Sequence, residues 1–560
     1  MRFTHGRSPI SPLIAYIDWL SHLGFAPSLQ QHLTALAIKR TIEIWRHACE
    51  CMLGGDPGKR CVEPLPQDKR FTDPAWTQWP FNIMHQSFLA QQDWWQQATS
   101  GVPGVSERNA QTLSFLTRQF LDMWAPSNFI ATNPLALRKT AATGGENLRR
   151  GAVNLLEDVQ RAMTGKPPAG AEPFRVGETI ASTPGTVIFR NELIELIQYK
   201  PQTETVHPEP VLIVPAWIMK YYILDLSPEN SLVRHLVASG HTVFMMSWRN
   251  PGPQHHDFGM DDYLSLGIGE ALAAVKTVIP EYPIHAVGYC LGGTLLAIAA
   301  AALGRRGDGY LRTLTLLAAQ TDFADAGELT LFIDESQITF LEDLMWQRGI
   351  LEAGQMAGAF RLLRSNDLIW SRVVRDYLLG ERTPATDIAA WNADATHMPY
   401  RMHSEYLRHL FLDNDLASGR YVVNGAPVGL SDISVPMFVV ATAWDHVAPW
   451  KSVYKIHLQA DVDITFVLAT GGHNVGIVSP PGTSIPGRDY RIGTHGSAAA
   501  YVSPDKWLQS HDPVPGSWWP AWFDWLKENS SAPVPVPPIG ASGLGPEPAV
   551  AAPGDYVFDR

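Results

Sequence analysis

The sequence is poor in cysteine, and the few it has are badly placed for structural use. Only Cys49, Cys51, Cys61 and Cys290 occur among 560 residues. Four are too few for a disulfide framework, and none of their spacings builds a zinc site with histidine. No metal is expected, and a reducing cytoplasm would keep the Cys290 thiol usable. Positive charge is also short: 43 Lys and Arg against 55 Asp and Glu leave a net charge of −12. That removes the basic surface nucleic-acid binding requires. Long apolar runs are missing too. The longest, Leu295 to Leu303, is about half of what a bilayer crossing needs. The first ten residues lack an apolar core followed by a small-residue cleavage site, so no signal peptide is expected. These absences describe a soluble chain with no transmembrane segment.

What is present centres on Pro283 to Ala297. A short apolar run, Ile284 to Val287, leads into Gly288-Tyr289-Cys290-Leu291-Gly292 and then into the helix formers Leu295 to Leu303. Strand, sharp turn and helix meeting at one residue is the context of a nucleophile elbow. The flanking glycines fit because the turn is strained and crowded. Alone, a G-x-C-x-G is weak, since a Cys in such a turn is often a small buried hydrophobe. Two downstream sites add to it. Asp445 follows the predicted strand Val435 to Ala443, and His473 follows the predicted strand Ile464 to Ala469 within Gly471-Gly472-His473. The chain order nucleophile, acid, histidine is that of α/β-hydrolase enzymes. His446, adjacent to Asp445, is read as supporting or structural because His473 ends a strand of its own.

At 560 residues the chain exceeds one typical core, so more than one domain is expected. Residues 1–170 read as a mainly helical domain for self-association or partner contacts, with periodic segments at Leu29 to Cys49, Thr112 to Met123 and Asn147 to Met163. Lys166-Pro167-Pro168-Ala169-Gly170 marks the boundary. Residues 171–531 read as the catalytic domain, an α/β fold with a mostly parallel sheet. Its rhythm breaks over about 323–430, an insertion expected to form a helical cap. Residues 532–560 are rich in Pro, Gly and Ala and are expected to be disordered. Pro215-Ala216-Trp217-Ile218 follows the strand Val211 to Val214, where this fold places the loop supplying a second oxyanion amide. The backbone N–H groups of Leu291 and Ile218 are therefore the oxyanion candidates.

In this scheme His473 takes the proton of Cys290, and Asp445 fixes the imidazole and stabilises its charged form. Cysteine at the elbow has a chemical logic. A serine would hold an acyl group as an ordinary ester, whereas cysteine keeps it as a thioester still able to acylate a hydroxyl. That points to acyl transfer from a thioester donor, with a cap that suppresses hydrolysis.

The sequence closely resembles the poly(3-hydroxyalkanoate) synthases from about Pro80 to Asp524. The stretches carrying the resemblance include Lys220 to Pro228, Ser247-Trp248-Arg249-Asn250-Pro251, the G-Y-C-L-G-G elbow, Thr321-Asp322-Phe323, Asp445 to Trp450 and Gly472 to Gly476. At Met219 many relatives carry Asn. The resemblance implies Cys290 as nucleophile, Asp445 as the aspartate and His473 as the general base. It implies (R)-3-hydroxyacyl-CoA and the growing polyester chain as substrates. No cofactor is implied, because CoA is part of the substrate and is released. The long N-terminal region is similar to that of self-sufficient synthases, whose members dimerise and sit on cytoplasmic polymer granules, with granule-associated proteins as possible further partners. Overall likeness to that group favours short monomers. Two other readings share the fold, a hydroxyacyl-CoA thioesterase and a non-catalytic granule-coating protein.

Overall fold

The computed structural model describes residues 8–56, 58–65, 68–356, 358, 365–482 and 487–560. Contacts divide the chain into two compact units. One holds Met1–Ala169 together with Ala357–Pro384, and the other Gly170–Met356 with Ala385–Arg560. The insertion is therefore shared out, since 357–384 belong with the N-terminal helices.

Among the described residues of the first unit, six α-helices precede residue 170: α1 (Ile10–Gly24), α2 (Pro27–Met52), α3 (Phe81–Thr99), α4 (Glu107–Met123), α5 (Pro134–Thr143) and α6 (Glu146–Met163). Local chemistry sets their ends. Ser106 caps α4 by accepting from Asn109 N, and Asn133 caps α5 by accepting from Leu135 and Ala136 N, which satisfies amides a helix start leaves unpaired. The apolar interior is divided, with Trp19, Val102 and Leu113 in one cluster and Phe71, Trp76 and Phe88 in another. In the connection between α2 and α3 the half-buried Arg70 guanidinium pairs with Asp68 at 2.7 Å and with Asp122 of α4 at 2.6 Å.

The second unit is built on one twelve-stranded sheet. Its main strands are β1 (Gly185–Arg190), β2 (Ile194–Tyr199), β3 (Thr205–Val214), β4 (His241–Trp248), β5 (Ile284–Tyr289), β6 (Leu311–Leu317), β7 (Met437–Thr442), β8 (Ile464–Ala469) and β9 (Asp489–His495). The run β4, β3, β5, β6, β7, β8 is parallel throughout. Antiparallel pairs close both sides, β2 with β4, β1 with β2, and β8 with β9. Helices at Leu232–Ala238 (α7), Glu270–Val278 (α8), Leu291–Arg306 (α9) and Trp519–Glu528 (α10) cover the faces. Parallel strands covered on both sides read as continuous apolar runs, and β5, β7 and β8 are buried at every position. This is the α/β-hydrolase arrangement expected from the sequence.

Residues 532–560, expected to be disordered, are instead folded onto the sheet. Val534 and Pro535 pair with β3, and Val550 and Ala551 pair with β1. Tyr556 and Val557 are buried. Composition counts the prolines and glycines but misses these anchors. It also misses the buried Glu195 carboxylate on β2, which accepts from the backbone N–H of Asp555 and Tyr556.

Candidate active site

The parallel sheet brings three loops together at the carboxyl ends of its strands. After β5 the backbone turns at Cys290 with φ 53° and ψ −125°, a left-handed conformation costly for a side chain and held only where the surroundings dictate it. They do so through hydrogen bonds. Cys290 N donates to Leu317 O at 2.9 Å, and Cys290 O accepts from Gly293 N and Thr294 N. The glycines allow strand and helix to touch. A Cβ on Gly288 would stand 2.3 Å from the Gly293 Cα, and one on Gly292 would stand 2.3 Å from Val214 O and 2.4 Å from Pro215 O.

Asp445 lies in the turn after β7. Its Oδ1 accepts from Val447 N at 2.8 Å and Ala448 N at 2.9 Å, and its Oδ2 accepts from Thr442 Oγ1 at 3.2 Å. The same Oδ2 meets His473 Nδ1 at 2.7 Å. A carboxylate only accepts, so Nδ1 carries the proton and Nε2 is left for chemistry. Burial alone would raise the Asp445 carboxyl, but the charge and hydrogen bond of His473 and the two amides outweigh it and hold it below the usual range. Burial alone would lower the His473 imidazole, yet the Asp445 charge first and Cys290 second push it well above its ordinary value. Of the set read from the sequence, Asp445 and His473 are hydrogen-bonded to each other, and the Cys290 charge acts on the same imidazole. His473 meets the acid.

Leu291 opens α9, where the first amides of a helix lack intrahelical acceptors. Ile218 lies in the loop after β3, and its carbonyl accepts from Thr396 N at 3.2 Å. Met219 forms a bridge with Ala395 in the same crossing.

Sequence reasoning missed three further side chains. Tyr289 is fully buried beside the nucleophile, with its ring 5.6 Å from that of His473 and its hydroxyl donating to Asn474 Oδ1 at 2.7 Å. Tyr406, from the insertion, packs on Phe323 and Phe411. Burial, and then the nearby Cys290 charge, push its phenol well up. Tyr289 and Asn474 each adjoin a motif residue, which was the available signal. Tyr406 has none, because only the tertiary fold brings it close. Among the described residues one group could gather a cation, His409, Asp413 and Asp415 on the surface, where Asp415 already pairs with Arg420. No helix among the described residues is long and apolar enough to cross a membrane.

Comparison with known proteins bears on the family and the fold. Residues 67–236 match the family model described as the N-terminus of poly-beta-hydroxybutyrate polymerase, residues 2–28 a second N-terminal model of that polymerase, and residues 209–480 the alpha/beta hydrolase fold. A poly(3-hydroxyalkanoate) polymerase of Methylorubrum extorquens is 42% identical over 89% of this chain and 81% of its own length. The PhaC polymerase subunit of Cupriavidus necator is 35% identical over 92% of this chain and 86% of its own. Among solved structures, a monoglyceride lipase from Saccharomyces cerevisiae is 12% identical, with a TM-score of 0.36 over 64% of this chain and 99% of that one. With identities of this size over nearly the whole length, the chain belongs to the poly(3-hydroxyalkanoate) polymerase family and is an acyltransferase that makes polyester.

Proposed function

We propose that the chain polymerises (R)-3-hydroxyacyl-CoA through a covalent thioester on Cys290, with His473 as general base and Asp445 as its support. The observation that carries this reading is a thiol on a left-handed elbow whose charge acts on an imidazole, the Nδ1 of that imidazole being held 2.7 Å from a buried carboxylate. His473 takes the thiol proton and the Cys290 sulfur attacks the substrate carbonyl. The amides of Leu291 and Ile218 hold the resulting oxyanion. The carbon–sulfur bond to CoA breaks, and the CoA sulfur leaves with the proton from His473. In the second half, His473 takes the proton of an incoming 3-hydroxyl. That oxygen attacks the Cys290 thioester, an ester bond forms, and the thiolate is released to recover its proton.

Asp445 keeps Nδ1 protonated and so aims Nε2 at both reacting groups. The aromatic cluster of Tyr406, Phe323 and Phe411 supplies an apolar flank that favours acyl chains over water. Work as a homodimer without a second subunit type, location at a cytoplasmic granule surface and preference for short monomers belong to the same reading.

The test is product analysis with purified protein and 3-hydroxybutyryl-CoA. The expected products are free CoA and insoluble polyester, with both lost in Cys290→Ala and nearly lost in Cys290→Ser, where an alkoxide replaces a thiolate as leaving group. Soluble hydroxy acid in place of polymer would make the chain a thioesterase, and CoA release surviving Cys290→Ala would remove the covalent step.

A further inference from the structure

The loop that carries Ile218 is held from behind by the last turn of the C-terminal segment. Lys220, 3% exposed, donates through Nζ to Tyr556 O at 2.9 Å and Asp559 O at 2.7 Å. Burial pulls this ammonium down to about 8. An amine with so little contact with water must be satisfied by protein groups, and here two are backbone carbonyls more than three hundred residues away in sequence. The main chain of Lys220 is fixed as well. Its carbonyl accepts from Trp391 Nε1 at 2.7 Å, and its N–H donates to Asp394 O at 3.4 Å.

The segment it grips is itself anchored to the sheet. The Glu195 carboxylate accepts from Asp555 N at 2.9 Å and Tyr556 N at 3.0 Å, and the Arg249 guanidinium lies 4.2 Å from the centre of the Tyr556 ring. Force on the segment is therefore borne by β2 and by the turn after β4. Lys220 transmits that fixed position to a loop two residues away from Ile218.

We propose that Lys220 is a positioning residue for the acyl-transfer step, tethering the Ile218 loop to the segment 555–559 so that its amide stays aimed at the carbonyl oxygen above Cys290. The tether rests on the Proposed function for its catalytic consequence, but not for its existence. Donors of this kind act by being held in place before the charge develops, and a small displacement is costly. The effect should then fall on turnover, leaving substrate capture unchanged.

The experiment uses the full chain with Lys220→Met, which removes the donor, and Tyr556→Ala, which loosens the segment and leaves Lys220 in place. Tyr556→Phe, which loses only the hydroxyl bond to Asn191 O, is the milder variant should the Ala protein fail to fold. Hydrogen exchange of amides 214–220 is expected to quicken in the loosened variants, while exchange in β5 and β6 stays at the wild-type rate. For CoA release from 3-hydroxybutyryl-CoA, kcat is expected to fall by about tenfold or more with KM within about twofold. Unchanged exchange at 214–220 in Lys220→Met overturns the tether. Faster exchange with an unaltered kcat overturns its role in positioning. If wild-type CoA release survives Cys290→Ala, the covalent reading falls instead, and the exchange data still judge the tether.

Discussion

The two units bury their apolar side chains in different ways. In the catalytic unit the sheet is sandwiched between two continuous cores, and side chains such as Leu212, Ile213, Val287 and Phe466 are wholly enclosed. In the helical unit the core is split, a buried ion-pair triad sits inside it, and large apolar groups face outward. Trp45 is 73% exposed and Phe25 91%, with Ile17 and Leu53 also exposed. A covered sheet generates its own interior, whereas short helix pairs leave one face over. The continuous interior belongs to the unit with the chemistry, and in the other the apolar clusters are small and separate.

The comparison can be broken by substitution, and the largest effect is expected at the elbow. Gly292→Ala would push a methyl group into the carbonyl oxygens of Val214 and Pro215. CoA release should drop by about a hundredfold or more, read by CoA assay beside circular dichroism. Next comes the helical unit's ion pair. Arg70→Leu strands two buried carboxylates, of which Asp122 is already pushed up by burial despite its partner, and should cost about 3–5 kcal/mol. Hydrogen exchange would confine the loss to the first unit.

Asp445→Asn follows, at about 1–3 kcal/mol, and its cost should depend on pH. Asp445 lies below its ordinary 3.8 and His473 above its ordinary 6.5. The pair's contribution is therefore fully present between those two values. It fades as pH falls through the depressed carboxyl value and as pH rises through the elevated imidazole value. Stability curves of variant and wild type at several pH values would show the gap narrowing at both ends, and a constant gap would contradict the pairing. The smallest change belongs to Ile17→Ser, on the outward face of α1, with a shift within about 0.5 kcal/mol by thermal melting. A large loss there would mean that this face is structural after all.

Much of the catalytic unit was legible because its signals are local. The elbow, the acid and the base each sit where an apolar run stops, with glycines flanking Cys290 and His473 and Pro449 following Asp445. The parallel strands announce themselves as unbroken apolar runs, and Ile464–Ala469 falls where the sequence placed it. What escaped depends on distant partners. Helix α8 is preceded by the wider coil Tyr263–Gly269, in a stretch where Gly267 packs against the Trp248 ring. The C-terminal segment looks unstructured by composition because its anchors, Glu195 and Lys220, lie hundreds of residues upstream. The insertion reads as one block although 357–384 cluster with the N-terminal helices. Tyr406 near Cys290 was invisible for the same reason.

The backbone contact between Gly288 and Gly293, and that of Gly292 with the end of β3, leave no room for even one added methyl group. The bend that presents the sulfur is thus closed to gradual change by drift or by design. On the proposed function, altering which monomers are accepted would proceed through side chains near the bend, with Tyr406, whose phenol feels the Cys290 charge, as a starting point for engineering a polyester of different stiffness.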